Sequence, residues 1–103
     1  MFFLPMQHKA AGLSGNPLKA IVSPRPIAWV SSRGADGSIN LAPYSFFNAV
    51  SEDAAMLFFS AAVVAGGRRK DSLRNIEETG EFTVNVVGEA QFEAMNISSG
   101  NFP

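Results

Sequence analysis

Two short runs hold the residue types best suited to chemistry. Asn40-Leu41-Ala42-Pro43-Tyr44-Ser45-Phe46-Phe47-Asn48 sets aromatic rings, small hydroxyls and an amide side by side. Arg69-Lys70-Asp71-Ser72-Leu73-Arg74-Asn75-Ile76 puts cations and a hydroxyl at the start of a predicted helix. The first run suits a flat conjugated ring, with an apolar face for its plane and polar groups for its edge. The second suits a phosphate, because a helix start carries free N–H groups and partial positive charge. Lys70 and the Ser72 hydroxyl would strengthen such an anion site, and Arg68 or Arg69 would add charge. Each run has a plainer explanation: an edge strand whose aromatics pack, and a capped helix after a solvated basic loop. Taken together they point to a flavin mononucleotide, which has both a ring and a phosphate.

Other chemistries are poorly supplied. His8 is the sole histidine and lies in an irregular N-terminal stretch, far from any serine–acid pair. There is no cysteine, so disulfides, zinc–thiolate sites, iron–sulfur clusters and cysteine nucleophiles are excluded, and a cytoplasmic setting fits. Glu52 with Asp53 and Glu77 with Glu78 read as solvated pairs, and no metal-ligand cluster is seen. Hard chemistry would then belong to a cofactor, and no catalytic side chain is assigned. Charged residues make up 17% of the chain at a formal net charge of -1, so no basic stripe faces a nucleic acid. No run approaches the roughly 20 apolar residues of a membrane-spanning helix. No G-x-G-x-x-G follows a strand and no P-loop occurs.

The elements that must position these residues follow from local patterns. The 103 residues make at most one domain. Residues 1–20 read as an irregular arm, with a short strand near Ala20–Val22. Ile27–Ser32 reads as a strand, Asp36-Gly37 as a hairpin turn, and Ser38–Ala42 as the return strand. Pro43 should interrupt it, with Tyr44–Asn48 continuing in extended form. Alternation then sets Phe46 and Asn48 on one side, Ser45 and Phe47 on the other. Ala55–Ser60 is an unbroken apolar run, the pattern of a buried strand. Asp71 reads as the N-cap of a helix from Ser72 to about Thr79, with Leu73 and Ile76 three apart on one face and Gly80 as its stop. Phe82–Val87 reads as a strand and Glu89–Ile97 as a second helix, with Phe92 and Met95 inward. Trp29 reads as core, while Ser31 or Ser32 could reach a phosphate or ribityl chain. Strands with a helix between the last two predict a mainly β, antiparallel barrel.

The motifs also carry a resemblance. Ser23-Pro24-Arg25-Pro26-Ile27-Ala28-Trp29-Val30-Ser31-Ser32, the Asn40–Asn48 run, Lys70-Asp71-Ser72-Leu73-Arg74-Asn75-Ile76 and Gly80-Glu81-Phe82-Thr83-Val84-Asn85, in that order, resemble the flavin reductase-like, FMN-binding split-barrel family. The similarity covers Ile21 to Val87 and extends toward the following helix. It implies a six-stranded antiparallel split barrel with short helices, a homodimer, and FMN in a groove at the dimer interface. Residues 21–103 would be the N-terminal portion of that domain. The family's domain is longer than this chain, so an incomplete barrel is expected here. Carried over by position, Trp29, Val30, Ser31, Tyr44, Ser45, Phe46 and Asn48 would line the flavin, with Ser45 and Asn48 as its polar contacts. Lys70, Ser72 and Arg68 would hold the phosphate. The family often has Thr where Ser72 stands, which keeps the hydroxyl. Members reduce flavin with NAD(P)H, supply reduced flavin to a partner monooxygenase, or shuttle electrons.

Overall fold

Two antiparallel sheets, not one, carry the strands. A computed structural model describes residues 4–62, 66–67 and 69–100. The first sheet has the order β2-β1-β5, formed by Ile39–Tyr44 (β2), Ala28–Arg33 (β1) and Thr83–Asn85 (β5). The second is the hairpin of Phe47–Ser51 (β3) and Met56–Phe59 (β4). Short helices complete the fold: Leu18–Ile21 (α1), Asp71–Thr79 (α2), and a 3-10 turn Glu89–Gln91 leading into Phe92–Ser98 (α3). The antiparallel pairing and short helices agree with the expected class. Among the described residues the strands do not close into a barrel, and the fifth is only three residues long. The radius of gyration is 16.0 Å, against about 13 Å for a compact domain of this length.

The β1–β2 hairpin forms where the turn chemistry predicts. Gly37 adopts φ +88°, a left-handed conformation that glycine enters without steric cost. The Asp36 carboxylate accepts from the Ser38 hydroxyl at 2.6 Å and from its N–H at 3.0 Å. The hydroxyl bond above all, then the N–H, holds the Asp36 pKa below the usual carboxylate value. Ladder pairs Ala28↔Tyr44, Val30↔Ala42 and Ser32↔Asn40 share one face of the sheet, and Val84 of β5 joins them. Ala28 and Val30, both at 0% exposure, form the apolar core of this inner face.

Several local expectations are corrected. Ala20–Val22 does not form a strand. The Asn16 Oδ1 accepts from the Leu18 N–H at 3.1 Å and Pro17 is pre-set at φ -66°, and these start signals outweigh the β-branched pair. Pro43 does not interrupt β2, because β2 is an edge strand and needs no N–H there. The break falls at Ser45–Phe46, which bends the chain from one sheet into the other, so one alternation does not run from Tyr44 to Asn48. The helix cap is Lys70, not Asp71. Asp71 is the first helical residue and lies 3.5 Å from Arg74. Leu73 and Ile76 are only half-buried, while Ser72 and Asn75 take the inner face. Phe92 is exposed, because nothing among the described residues covers that side of α3, whereas Met95 is half-buried. The apolar run of β4 is not buried: Met56, Leu57 and Phe58 are all exposed. An unalternating strand is buried only when both faces of its sheet are covered, and no described element does that for β3–β4.

Candidate functional site

Helix α2, whose start is expected to hold a phosphate, is latched to β2, the strand that leads to Tyr44, Ser45 and Phe46. Asn40 Nδ2 donates to Ser72 Oγ at 2.8 Å, and Asn75 Nδ2 donates to Ser32 Oγ at 3.2 Å. The geometry follows from two periods. Ser32 and Asn40 face each other across the β1–β2 ladder, while Ser72 and Asn75 stand three apart on one helix face. Two neighbouring sheet residues therefore meet two neighbouring helix residues. Ser72 is fully buried and Asn75 is 2% exposed. Asn75 Oδ1 has no hydrogen-bond partner and faces buried Gly34. A Cβ at Gly34 would lie 3.1 Å from that oxygen, 2.8 Å from Asp36 Oδ1 and 2.9 Å from Ser38 Oγ, so only glycine lets the hairpin close this tightly on α2.

The start of α2 presents Lys70 in extended conformation at the cap, half-buried and with no ion pair among the described residues. Arg69 pairs with Glu77. Among the described residues, the first-turn N–H groups of Asp71, Ser72 and Leu73 have no backbone partner. The Ser72 hydroxyl itself turns into the sheet rather than toward this helix end. Arg68 lies outside the described residues, as do residues 63–65 of the loop before it.

At the other end of β2, the bend is held by a side chain that the sequence motifs left unassigned. Arg25 Nε donates to Ser45 Oγ at 3.2 Å, and its guanidinium carbon lies 5.1 Å from the Phe46 ring centroid. Tyr44 packs on Phe59 at 4.9 Å between ring centroids, and Phe59 packs edge-on against Phe82 at 5.1 Å. Asn48 is exposed, and its Oδ1 accepts from the adjacent Ala49 N–H at 2.7 Å.

Trp29 and Ser31 stand on the opposite, outer face of the β2-β1-β5 sheet. Trp29 is half-buried rather than core, and its indole N–H donates to Ser98 Oγ of α3 at 2.9 Å. Asn85 Nδ2 donates to the Trp29 carbonyl at 2.9 Å and to Ser31 Oγ at 3.2 Å. A polar cleft of about 440 Å³ opens near the end of β1, lined by Ser31, Ser32, Arg33, Ile39, Glu81, Phe82 and Thr83. The structure thus brings Tyr44, Ser45 and Phe46 together at one end of β2 and sets Ser72 against Asn40 near its other end, with Lys70 at the cap of the same helix. It buries Val30 in the core, leaves Asn48 on the hairpin, and turns Trp29 and Ser31 away. Sequence reasoning missed Arg25, Asn40, Asn75 and Asn85 as the side chains that fix these positions. The i, i+3 spacing of Ser72 and Asn75 is the one local signal that could have found the latch.

This arrangement belongs to a known class. Residues 22–103 match the flavin reductase-like domain, and the chain belongs to that family. It is 46% identical over 84 residues to the protein YwrF of Bacillus subtilis, covering 82% of this chain and 40% of YwrF. A protein of Aquifex aeolicus is 43% identical over 83 residues, covering 81% of this chain and 42% of its own length. Among solved structures, nitrilotriacetate monooxygenase component B from Bacillus cereus superposes with a TM-score of 0.78 at 31% identity, covering 100% of this chain and 50% of that one. Pseudomonas fluorescens 2-nitrobenzoate 2-nitroreductase NbaA gives 0.72 at 34% identity, covering 98% and 48%. The chain therefore spans half or less of the length of each.

Proposed function

We propose that this chain is the flavin-holding part of an FMN-dependent oxidoreductase of flavin reductase type, passing electrons from NAD(P)H to flavin. The observation that supports it most is the Asn40–Ser72 hydrogen bond. It ties the anion-suited start of α2 to the same strand that ends at Tyr44 and leads into Ser45 and Phe46. A strand rises about 3.3 Å per residue, so Asn40 and Tyr44 stand roughly 13 Å apart on one face of β2. Ring and phosphate of one nucleotide would then be served by one rigid unit.

In this reading Ser45, Phe46 and Asn48, beside Tyr44, hold the ring. Lys70, the Ser72 N–H and Arg68 hold the phosphate, and buried Ser72 and Asn75 keep the helix start in place. Trp29 and Ser31 lie on the other sheet face, with Val30 between them in the core. With Trp29 and Ser31 also lining that flavin, it would lie between two copies of the chain, in a homodimer. Bound FMN supplies the electron acceptor, and the protein supplies position and electrostatics. By likeness to the monooxygenase component, the reduced flavin would serve a separate monooxygenase, in the cytoplasm.

The first test is the absorption spectrum of the protein as isolated, followed by FMN titration. A colourless folded protein that leaves flavin fluorescence unchanged ends this reading. Lys70→Ala should weaken FMN about tenfold and riboflavin little, since only FMN carries the phosphate. Equal weakening of both removes the phosphate role. Bound FMN without NADH or NADPH oxidation would make the protein an electron carrier rather than a reductase.

A further inference from the structure

Arg25 joins three segments that no sequence pattern connects. It stands directly before Pro26, whose ring restricts the Arg25 backbone to extended conformations. Its half-buried guanidinium donates through Nη1 to the carbonyls of Lys19 at 2.9 Å and Val22 at 2.8 Å, around the C-terminal end of α1. Nε donates to Ser45 Oγ at 3.2 Å, and the group lies over Phe46. A lysine ammonium cannot reproduce this set, because it lacks the planar fork and the stacking face.

We infer that Arg25 is a positioning residue of the flavin site. It sets the Ser45 hydroxyl and the Phe46 ring at the β2–β3 bend and ties both to α1. The inference rests on the reading that this bend lines the flavin. The bond has a chemical consequence. Ser45 Oγ accepts from a cation, so its own O–H remains available to donate, and a charge-assisted partner polarises it. The Ser45 hydroxyl therefore offers a strengthened donor to an acceptor atom of the ring. Such a donor favours the more electron-rich reduced flavin and raises the potential of the bound cofactor.

The test is titration of the full chain with FMN and with riboflavin, for wild type, Arg25→Lys, Ser45→Ala and the double variant. Each single change should weaken both flavins about tenfold, as expected for loss of a hydrogen bond to a charged group. Both flavins should weaken equally, because the contact is to the ring end. The double variant should be no weaker than either single one, because both changes remove the same contact. The potential of bound flavin should fall in Arg25→Lys and in Ser45→Ala. Amide exchange at Ala20–Val22 should quicken in Arg25→Lys and not in Ser45→Ala. The inference is overturned by multiplying single effects, by weakening confined to FMN, or by wild-type binding in Arg25→Lys. Should Arg25→Lys fail to fold, an unchanged potential in Ser45→Ala overturns it, because that variant keeps both bonds to α1. Wild type that takes neither flavin overturns the site reading and this inference together.

Discussion

The two sheets of this molecule show opposite relations between sequence and burial. The β2-β1-β5 sheet is covered on its inner face by α2, and the contact is partly polar: Ser32, Asn40, Ser72 and Asn75 meet across it. The β3–β4 hairpin is strongly apolar, yet Val50 is 61% and Phe58 48% exposed. Hydrophobicity alone would rank the hairpin as the core and the serine- and asparagine-bearing helix as the surface. The lesson is that burial follows coverage by another element, and that polar side chains survive inside when they find partners. The ring end of the proposed site lies where these regions meet, at the Ser45–Phe46 bend.

The contrast can be broken or sharpened by substitution. The largest effect is expected from Val30→Asp, which places an unpaired carboxylate at a fully buried position in the central strand. It should cost about 4 kcal/mol or more and abolish cooperative melting followed by circular dichroism. Retained cooperative unfolding would mean that the β2-β1-β5 sheet is not the stabilising centre. Gly34→Ala comes next. Its Cβ would meet Asp36 and Ser38 oxygens at 2.8 and 2.9 Å, and the forced shift should cost about 1–3 kcal/mol in denaturant unfolding. Ser72→Ala leaves the Asn40 amide without its partner and should cost about 1–2 kcal/mol. Asn40→Ala in that background should add little, since the same bond is already gone. Full additivity of the two would show that the latch is not a unit. Phe58→Thr should move stability by no more than about 0.5 kcal/mol, as for a surface position. A loss of several kcal/mol there would show that the hairpin face is covered in solution.

Much of the fold was legible because it rests on local rules. Asp36-Gly37 marks the hairpin through its backbone freedom, Gly80 ends α2 at φ +75°, and alternation sets which residues of β1 share a face. The site was legible in its motifs but not in its grouping. Trp29 and Ser31 lie close in sequence to Val30, yet face away from it. Tyr44 and Asn48 were expected on one extended segment, but the bend separates them into two sheets. The apolar pair Leu73 and Ile76 marked one face of α2, whereas the hydrogen-bonding needs of Ser32 and Asn40 selected Ser72 and Asn75 for the inner face.

From residue order alone came the β1–β2 hairpin with its Asp36-Gly37 turn, the place of α2 and its glycine stop, the family and the residue types suited to a flavin. These depend on dihedral preferences and hydrogen bonds reaching a few positions along the chain. The tertiary structure alone decided that Arg25 holds Ser45, that Asn40 holds Ser72, and which apolar side chains remain open to water. Those outcomes depend on groups 20 to 32 residues apart coming within hydrogen-bond distance, and on whether any element lies over a given face. No local preference encodes either condition.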